Sequence, residues 1–220
     1  MKRIPRMKKI RCLVTAGATR EYFDPVRFIS NPSTGKMGVA VAEAARDAGW
    51  QTTLVLGASP LGNPDGIKTR RVVSAQDMLE ACSDEFENCD ILIMSAAVSD
   101  VRPKHRAAEK VKKDGIDLNP ELERTPDILL TLSQNKGSRI LVGFAAETQN
   151  VLEYARGKIL AKNLDAVVAN DVSAAGAGFA ADTNKISIIF SDGEILSPAF
   201  DTKRNLAKKI IASIGEKFFA

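Results

Sequence analysis

Histidine is nearly missing from this chain, and other scarce residues narrow its chemistry further. His105 is the only histidine among 220 residues, which argues against a zinc site and against a Ser-His-Asp triad. The three cysteines, Cys12, Cys82 and Cys89, lack the spacing of metal ligands. They fit buried thiols in a reducing compartment. Aromatic residues make up only 5% of the chain, and no basic patch is interleaved with rings, which argues against single-stranded nucleic acid as a stacking partner.

Long hydrophobic runs are also missing. The N-terminal sequence MKRIPRMKKI is basic, but no apolar run typical of a signal peptide or a membrane span follows it. We therefore predict a cytoplasmic protein without membrane association. A length of 220 residues and a hydrophobic content of 45% predict a single domain, residues 1–220, with a full core. The net charge of +4 favours an anionic substrate and does not require nucleic acid.

Short apolar segments alternate with segments of helical period along most of the chain. Strands are predicted at Arg11–Ala16, Thr52–Leu56, Thr69–Val73, Asp90–Ser95, Arg139–Phe144 and Asp165–Ala169. Helices are predicted at Lys36–Ala48, Ala75–Glu87 and Asn150–Asn163. Continuous apolar strands separated by helices are typical of a parallel sheet that is covered on both faces. The predicted fold is therefore α/β, with a Rossmann-like, mostly parallel sheet and helices on both faces.

Two regions depart from this alternation. Residues 101–122 are polar and rich in lysine, and they predict an exposed flap with a short hairpin. Near the C-terminus, the sequence SDG at residues 191–193 predicts the turn of a second hairpin. Asp201 is predicted to cap a last helix. The apolar residues of that helix recur every four positions: Leu206, Ile210, Ile214 and Phe218.

Small and polar residues follow four of the predicted strands at their carboxyl ends. These loops read AGAT, AAVSD, AAET and NDVS in chain order. Open parallel sheets bind their ligands at this edge. One such loop can be explained by core packing, but four together predict a binding site there.

The most distinctive stretch is NPSTGKMG, residues 31–38, which we call the cradle segment. It leads into a predicted helix, where unpaired N–H groups and the helix dipole attract phosphate. Gly35 and Gly38 are expected to remove Cβ atoms that would hold a ligand away. The pattern is neither G-x-G-x-x-G nor G-x-x-x-x-G-K-[ST]. It therefore predicts phosphate binding of an unusual type, with a plain capped helix start as the alternative.

Several lysines have both a functional and a simpler interpretation. Lys110, Lys112 and Lys113 could neutralise phosphates from the flap, or they could form a solvated charge run. Lys158 and Lys162 lie four residues apart on one helix face near the predicted ligand edge. They could contact an anion there or simply face water.

Four other side chains have the same two possibilities. Asp100 follows a strand and could orient a ligand or hold a metal, or it could form a turn. Arg27 could pair with a carboxylate or phosphate, or it could form a surface ion pair. Phe144 could stack on a base or belong to the core. Asn31 could be only a helix cap, or it could donate to a carboxylate above the cradle segment.

Together, these motifs resemble the phosphopantothenoylcysteine synthetase family, the ligase half of the bifunctional bacterial coenzyme A biosynthesis protein. The motifs that carry the resemblance are, in order, TAGATRE, DPVRFISNPSTGKMG, AAVSDVRPK, EKVKK, RTPDILL, VGFAAET and KNLDAVVANDVS. They extend roughly from Arg11 to Phe190. The flavin-dependent decarboxylase half is absent from this chain, so the resemblance implies a stand-alone synthetase. The family is dimeric, which implies a homodimer.

The resemblance also implies a reaction in two steps. The carboxylate of 4'-phosphopantothenate attacks the α-phosphate of CTP, which gives an acyl-nucleotide and pyrophosphate. The amine of L-cysteine then displaces the nucleotide to form an amide. Bacterial members mostly use CTP and eukaryotic members prefer ATP, with Mg²⁺ sharing the charge. Such a reaction needs positioning and electrostatics rather than an enzyme nucleophile, which suits a chain with one histidine.

The resemblance assigns roles to individual residues. Asn31 is expected to hold the pantothenate carboxyl group, Lys110 to assist acyl-nucleotide formation, and Arg27 to reach the substrate of a neighbouring subunit. Ala97, with Ala96 and Asp100, is expected to bind the substrate. The expected nucleotide contacts are Gly17, Ser33, Gly35, Gly38, Met94, Ser95, Ala96, Asp100, Lys110, Thr125, Pro126, Asp127, Ile128, Phe144, Lys158 and Lys162. No metal ligand is assigned.

Two other classes of function remain as alternatives. One is a Rossmann-like nucleotide binder such as an NAD(P)-dependent reductase. Its glycine fingerprint is missing, however, and LGA at residues 56–58 replaces the acidic residue expected after the second strand. The other is a basic nucleic-acid-binding module, which only the positive charge supports.

Overall fold

The computed structural model describes residues 9–147, 151–171, 178 and 181–220. Its helices are α1 (Lys36–Asp47), α2 (Ala75–Phe86), α3 (Ile128–Ser133), α4 (Val151–Lys162) and α5 (Lys203–Phe219), with a single 3₁₀ turn at Lys113–Gly115. Its first seven strands are β1 (Arg11–Ala16), β2 (Arg20–Tyr22), β3 (Phe28–Ser30), β4 (Gln51–Leu56), β5 (Lys68–Arg71), β6 (Ile91–Met94) and β7 (Val101–Pro103). The others are β8 (Leu122–Arg124), β9 (Ile140–Glu147), β10 (Ala166–Asp171), β11 (Thr183–Asn184), β12 (Ile186–Phe190), β13 (Ile195–Leu196) and β14 (Asp201–Thr202).

Eight strands form one central sheet in the order β13-β12-β10-β9-β6-β1-β4-β5. The six strands from β10 to β5 run parallel, whereas β12 and β13 pair antiparallel at one side. The carboxyl ends of the parallel strands therefore lie along one edge. The predicted α/β class and the mostly parallel sheet are confirmed.

Helices cover both faces of this sheet, because successive side chains of a strand point to opposite sides. Leu13 of β1 packs in a cluster with residues of α2, α3 and α4, while Val14 packs on the other face with α1 and α5. Both side chains are at most 1% exposed. The four residues of β6 are buried throughout, as expected for a strand in the middle of a doubly covered sheet.

The predicted strands and helices of the central sheet agree with the structure to within a few residues. β9 is the largest difference: it continues to Glu147, so Phe144 lies inside the strand and not at its end. The predicted start of α4 at Asn150 lies outside the described residues. None of the described helices is long and apolar enough to cross a membrane.

The predicted cap of the last helix is wrong by one residue. Thr202 is the N-cap of α5, and its Oγ1 accepts the N–H of Asn205 at 3.3 Å. Asp201 instead lies in the short ribbon that β14 forms with β11. Its carboxylate accepts from the side chains of Asn205 and Lys209. The backbone of Asp201 is extended and pairs with β11. The helix therefore begins one residue later than predicted, with Thr202 as its cap.

The three cysteines are free and buried, as the sequence predicts. Burial raises the pKa of Cys82 to about 12 and that of Cys89 to about 11. Burial also raises the pKa of the Cys12 thiol. Thiolates are the reactive form of cysteine, so these side chains are core residues.

Candidate functional site

Three loops are tied together at the carboxyl edge of the sheet. Ala18, which follows β1, forms isolated bridges with Ala58 after β4 and with Ala97 after β6. The N–H of Ala97 also donates to the carbonyl of Gly17 at 2.9 Å. These backbone contacts hold the AGAT and AAVSD loops side by side, as their position at adjacent strand ends predicts.

The cradle segment joins the short strand β3 to α1. Gly35 is the N-cap of α1 in the left-handed conformation with a φ of 78°, and no side chain caps the helix. The Ser33 hydroxyl accepts the N–H of Gly35 at 3.3 Å. The Asn31 amide donates to the carbonyl of Val98 at 3.0 Å, which joins the segment to the loop after β6. Asn31 is therefore not the helix cap.

The two glycines of the segment serve a different purpose from the one that we expected. A Cβ on Gly38 would lie 2.5 Å from the Cβ of Ala16 and 2.8 Å from the carbonyl oxygen of Thr15. A Cβ on Gly35 would meet the backbone of Gly17 at 3.1 Å. The missing Cβ atoms thus face β1 and its loop, so the glycines allow α1 to approach the sheet. Expecting them to clear space for a ligand was wrong, although both line the cavity described next.

A cavity of about 370 Å³ opens above the cradle segment. The loop after β6, the last residues of β9 and β10, and the starts of α1 and α5 line it. The predicted site residues that line it are Asn31, Ser33, Gly35, Gly38, Ser95, Ala96, Ala97, Asp100, Phe144 and Lys158. We call this cavity the cradle compartment.

A second cavity of about 280 Å³ adjoins the first, and we call it the α3–α4 compartment. It is lined by the predicted residues Met94, Ala96, Asp100, Thr125, Pro126, Asp127, Ile128, Phe144, Lys158 and Lys162. The two compartments share Asp100, Phe144 and Lys158 among their lining residues. They therefore form one cleft along the carboxyl edge of the sheet.

The two lysines of α4 turn toward this cleft and not away from it. Lys162 pairs with the carboxylate of Asp127 at 2.6 Å, and the ammonium group of Lys158 donates to the carbonyl of Phe144 at 2.5 Å. Burial tends to raise the pKa of Asp127, but hydrogen bonds from Lys162 and from the N–H of Leu130 outweigh it and lower that pKa. Asp127 also caps α3 through that N–H. Hydrogen bonds to Asp127 and to the Phe144 carbonyl thus hold the two ammonium groups at the cleft.

Three predicted site residues are not among the lining residues of either compartment. Gly17 lies directly behind Gly35. Arg27 pairs with its own Asp24 at 2.5 Å and donates to the carbonyl of Val111. Lys110 precedes Val111 on the exposed flap. Arg27 therefore contacts the flap one residue from Lys110.

Sequence reasoning missed four polar residues that line the cradle compartment: Lys36, Asn170, Asn184 and Lys203. The Oδ1 atom of Asn170 is buried and accepts no hydrogen bond from the described residues. Such an atom calls for a partner, because a buried, unsatisfied acceptor is costly. The motif NDVS at the end of a predicted strand could have pointed to Asn170. No motif pointed to Lys203, because the start of α5 lies far along the chain from the cradle segment.

A metal site built only from protein side chains has little support in the structure. Within the described ranges, no three His, Cys, Asp or Glu residues form a group that could hold a metal. Mg²⁺ commonly binds through one or two carboxylates together with substrate phosphates. Asp100, which lines both compartments, is a carboxylate that fits this second arrangement.

Fold and cleft define an α/β protein with an open cleft at the carboxyl edge of a Rossmann-like sheet, the edge at which such sheets bind ligands. Residues 7–218 match the family model described as the DNA/pantothenate metabolism flavoprotein C-terminal domain. The chain belongs to this family, and the resemblance to phosphopantothenoylcysteine synthetases is confirmed.

Individual relatives agree with the family model. The coenzyme A biosynthesis bifunctional protein CoaBC of Bacillus subtilis is 48% identical over 203 residues, which are 92% of this chain and 50% of that protein. The CoaBC protein of Escherichia coli is 40% identical over 216 residues, or 96% of this chain and 53% of that one. This chain thus spans about half the length of the curated relatives that it matches.

Solved structures extend the likeness to the fold. A crystal structure of the C-terminal domain of CoaBC is 42% identical, with a TM-score of 0.81 and 94% of both chains covered. A Cab2 mutant in complex with phosphopantothenate-cysteine has a TM-score of 0.72, at 16% identity and over 95% of this chain and 87% of that one. At that identity the second likeness concerns the fold alone.

Proposed function

We propose that this protein is a phosphopantothenate–cysteine ligase that acts in coenzyme A biosynthesis and uses CTP. The single observation that carries the proposal is the continuous cleft, in which the cradle compartment and the α3–α4 compartment share Asp100, Phe144 and Lys158. One compartment suits a phosphorylated acid beside a helix start, and the other suits a nucleoside beside two lysines. Membership of the synthetase family supports the same assignment.

In the proposed reaction, a carboxylate oxygen of 4'-phosphopantothenate attacks the α-phosphorus of CTP, and pyrophosphate leaves. The amine of L-cysteine then attacks the acyl carbon, loses a proton and displaces CMP. The residues that line the cleft hold the two reacting atoms together and counter the charge that develops on phosphate. No protein nucleophile takes part, in keeping with the buried thiols of this chain.

Asn31 is the residue that we propose to hold the carboxyl group under attack. Its amide nitrogen is fixed by the Val98 carbonyl at 3.0 Å, and its side chain lines the cradle compartment. An amide has two N–H donors, so one remains to point at an acid. Ala97 lies in the same loop and leaves room for the pantothenate chain.

The nucleotide is proposed to lie across both compartments. Phe144 lines the two of them, where its ring can contact a base. Lys158 and Lys162 supply positive charge, and Ser33 with the uncapped start of α1 supplies donors for the α-phosphate. Mg²⁺ would arrive with the triphosphate and share its charge, next to Asp100.

Lys110 and Arg27 are proposed to act from the edge of the cleft. Lys110 lies on the exposed flap and would reach the cleft when the flap closes, to assist acyl-nucleotide formation. Arg27 is half-exposed beside the flap, and in a homodimer it would serve the site of the other subunit. Both roles need a change from the arrangement described above.

Pyrophosphate release tests the proposal. The purified protein, with Mg²⁺, phosphopantothenate and cysteine, should release pyrophosphate with CTP and form phosphopantothenoylcysteine, detected by mass. We expect a higher kcat/KM with CTP than with ATP. Equal values for both nucleotides would overturn the preference and leave the ligase reaction intact. No pyrophosphate with either nucleotide would overturn the function.

A further inference from the structure

Two lysines that the proposed reaction has not yet used meet at one end of the cradle compartment. Lys36 is the first residue of α1 and Lys203 is the first residue of α5. Both line the same cavity, although 166 positions separate them in the chain. The two helix starts therefore converge, and each adds an ammonium group to the positive end of a helix dipole.

Lys203 is buried to a degree that is rare for lysine. Its residue is only 6% exposed, and its ammonium group donates to the carbonyl of Gly178 at 2.9 Å. Burial and the charge of Lys36 lower the pKa of Lys203, while the carboxylate of Asp182 opposes the shift. A buried cation is costly unless an anion compensates for it. Because Lys203 lines the cavity, an anion that enters the cavity can interact with its ammonium group.

Asp182 provides part of that compensation in the structure. Its carboxylate pairs with the ammonium group of Lys36 at 2.6 Å, and its backbone carbonyl accepts the N–H of Lys203 at 2.8 Å. The Asp182 side chain is 84% exposed, so it can leave at little cost. Among the described residues that line the cavity, three lysines, Lys36, Lys158 and Lys203, face one carboxylate, Asp100.

We propose that Lys36 and Lys203 form a clamp for the β- and γ-phosphates of the nucleoside triphosphate and for the pyrophosphate that leaves. The proposal rests on the proposed function. Lys36 belongs to the cradle segment, and both lysines line the cradle compartment, whereas Lys162 lines only the α3–α4 compartment. A triphosphate with its base at Phe144 and its α-phosphate at the cradle segment would extend toward the clamp. Asp182 then acts as a competing anion that the polyphosphate displaces.

Calorimetric titration with CTP, CMP, pyrophosphate and phosphopantothenate, each with Mg²⁺, tests this clamp. Lys203→Met and Lys36→Met should each weaken binding of CTP and pyrophosphate by about tenfold or more, the loss expected for one charge-assisted hydrogen bond. Binding of CMP and phosphopantothenate should change by less than about threefold, because neither carries the β- and γ-phosphates. Lys208→Met is the matched control, since Lys208 is an exposed lysine of the same helix.

The variant Asp182→Asn should have the opposite effect on binding. It removes the competing carboxylate from an exposed position, so the affinity for pyrophosphate should rise while the melting temperature changes little. Thermal melting shows whether Lys203→Met has a folding defect. If it has, the affinities of Lys36→Met and Asp182→Asn for pyrophosphate test the clamp instead.

Several results would overturn the clamp. One is equal CTP affinity in the wild type, Lys36→Met and Lys203→Met. Another is a loss that falls on phosphopantothenate and not on CTP, which would place the substrate's own phosphate here. Wild-type protein that binds pyrophosphate but neither CTP nor ATP would overturn the proposed function and leave the anion clamp standing.

Discussion

Among single residues, Asn31 connects the cradle segment to the opposite loop through one hydrogen bond. Asn31→Asp is nearly isosteric, so the fold should survive. The substitution replaces the donor to the Val98 carbonyl by a negative charge, which in the proposed site would face a carboxylate and a phosphate. We expect kcat to fall by about a hundredfold, as for other donors that stabilise developing charge. Steady-state kinetics beside a thermal melt measures this, and wild-type turnover would remove Asn31 from the site.

Gly38 shows that a residue of the cradle segment can be essential for packing. In Gly38→Ala, the new methyl group would clash with Ala16 and Thr15 of β1. We expect a loss of about 1 to 3 kcal/mol in the free energy of unfolding, which is typical of overpacking. Gly157→Ala is the control, because Gly157 also lies in a helix but has nothing within 4 Å of the added Cβ. It should gain about 0.5 to 1 kcal/mol. Equal effects in urea unfolding would contradict the packing argument.

Asp24 is a buried carboxylate that connects two loops. The hydrogen bond from Arg27 lowers its pKa, against burial, and the N–H groups of Val26, Arg27 and Val111 add to the effect. Because the folded-state pKa lies below that of the unfolded chain, this stabilisation is present above about pH 4. It is lost as the pH falls through the lowered pKa. Asp24→Asn should therefore destabilise the protein most near neutral pH, and its difference from wild type in urea unfolding should shrink with acid. A constant difference would contradict this account.

At the scale of elements, the flap is held at few points. In residues 103–115, the N–H of Ala107 donates to the carbonyl of Phe23, and Val111 contacts Asp24 and Arg27. Most of its other residues are exposed, and such segments open locally at low cost. Cleavage by trypsin at Lys110, Lys112 and Lys113 should slow when CTP and Mg²⁺ are added, if Lys110 closes on the nucleotide. Mg²⁺ alone should have no effect, and a flap cleaved equally fast in both states would argue against closure.

Sequence patterns revealed the long elements and two hairpins, the one in the flap (β7 and β8) and the one at residues 191–193 (β12 and β13), but not the bounds of the short strands. β1 and β6 are continuous apolar runs, so their place in a parallel sheet could be predicted. β2, β3, β7 and β8 have three residues each, which is too short to show a period of two. Their ribbons are held by pairing between strands and not by pattern.

Across the whole molecule, the site was predictable where it follows a strand end and hidden where distant segments meet. Residues of the AGAT and AAVSD loops and of the last part of β9 could be placed together because parallel strands end at one edge. Lys36 and Lys203 meet only because α1 packs against α5 in three dimensions. The role of Gly38 was misjudged for a related reason: its neighbours on β1 are fixed by packing and not by local sequence.

The proposed homodimer gives a sharp test of how subunits share a site. If Arg27 serves the partner's site, each site combines Asn31 of one subunit with Arg27 of the other. Mixing inactive Arg27→Ala with inactive Asn31→Asp protein, after unfolding and refolding together, would then create mixed dimers with one site intact. Random pairing makes half of the dimers mixed, so about a quarter of wild-type activity should return.

If Arg27 acts within its own subunit, no mixed dimer has an intact site and activity stays at the level of the parents. Each variant refolded alone is the control for spontaneous recovery, and light scattering reports whether dimers form at all. Arg27 already pairs with its own Asp24 while its side chain remains partly exposed. An exposed guanidinium held in this way is oriented before a partner arrives, which favours the return of activity over its absence.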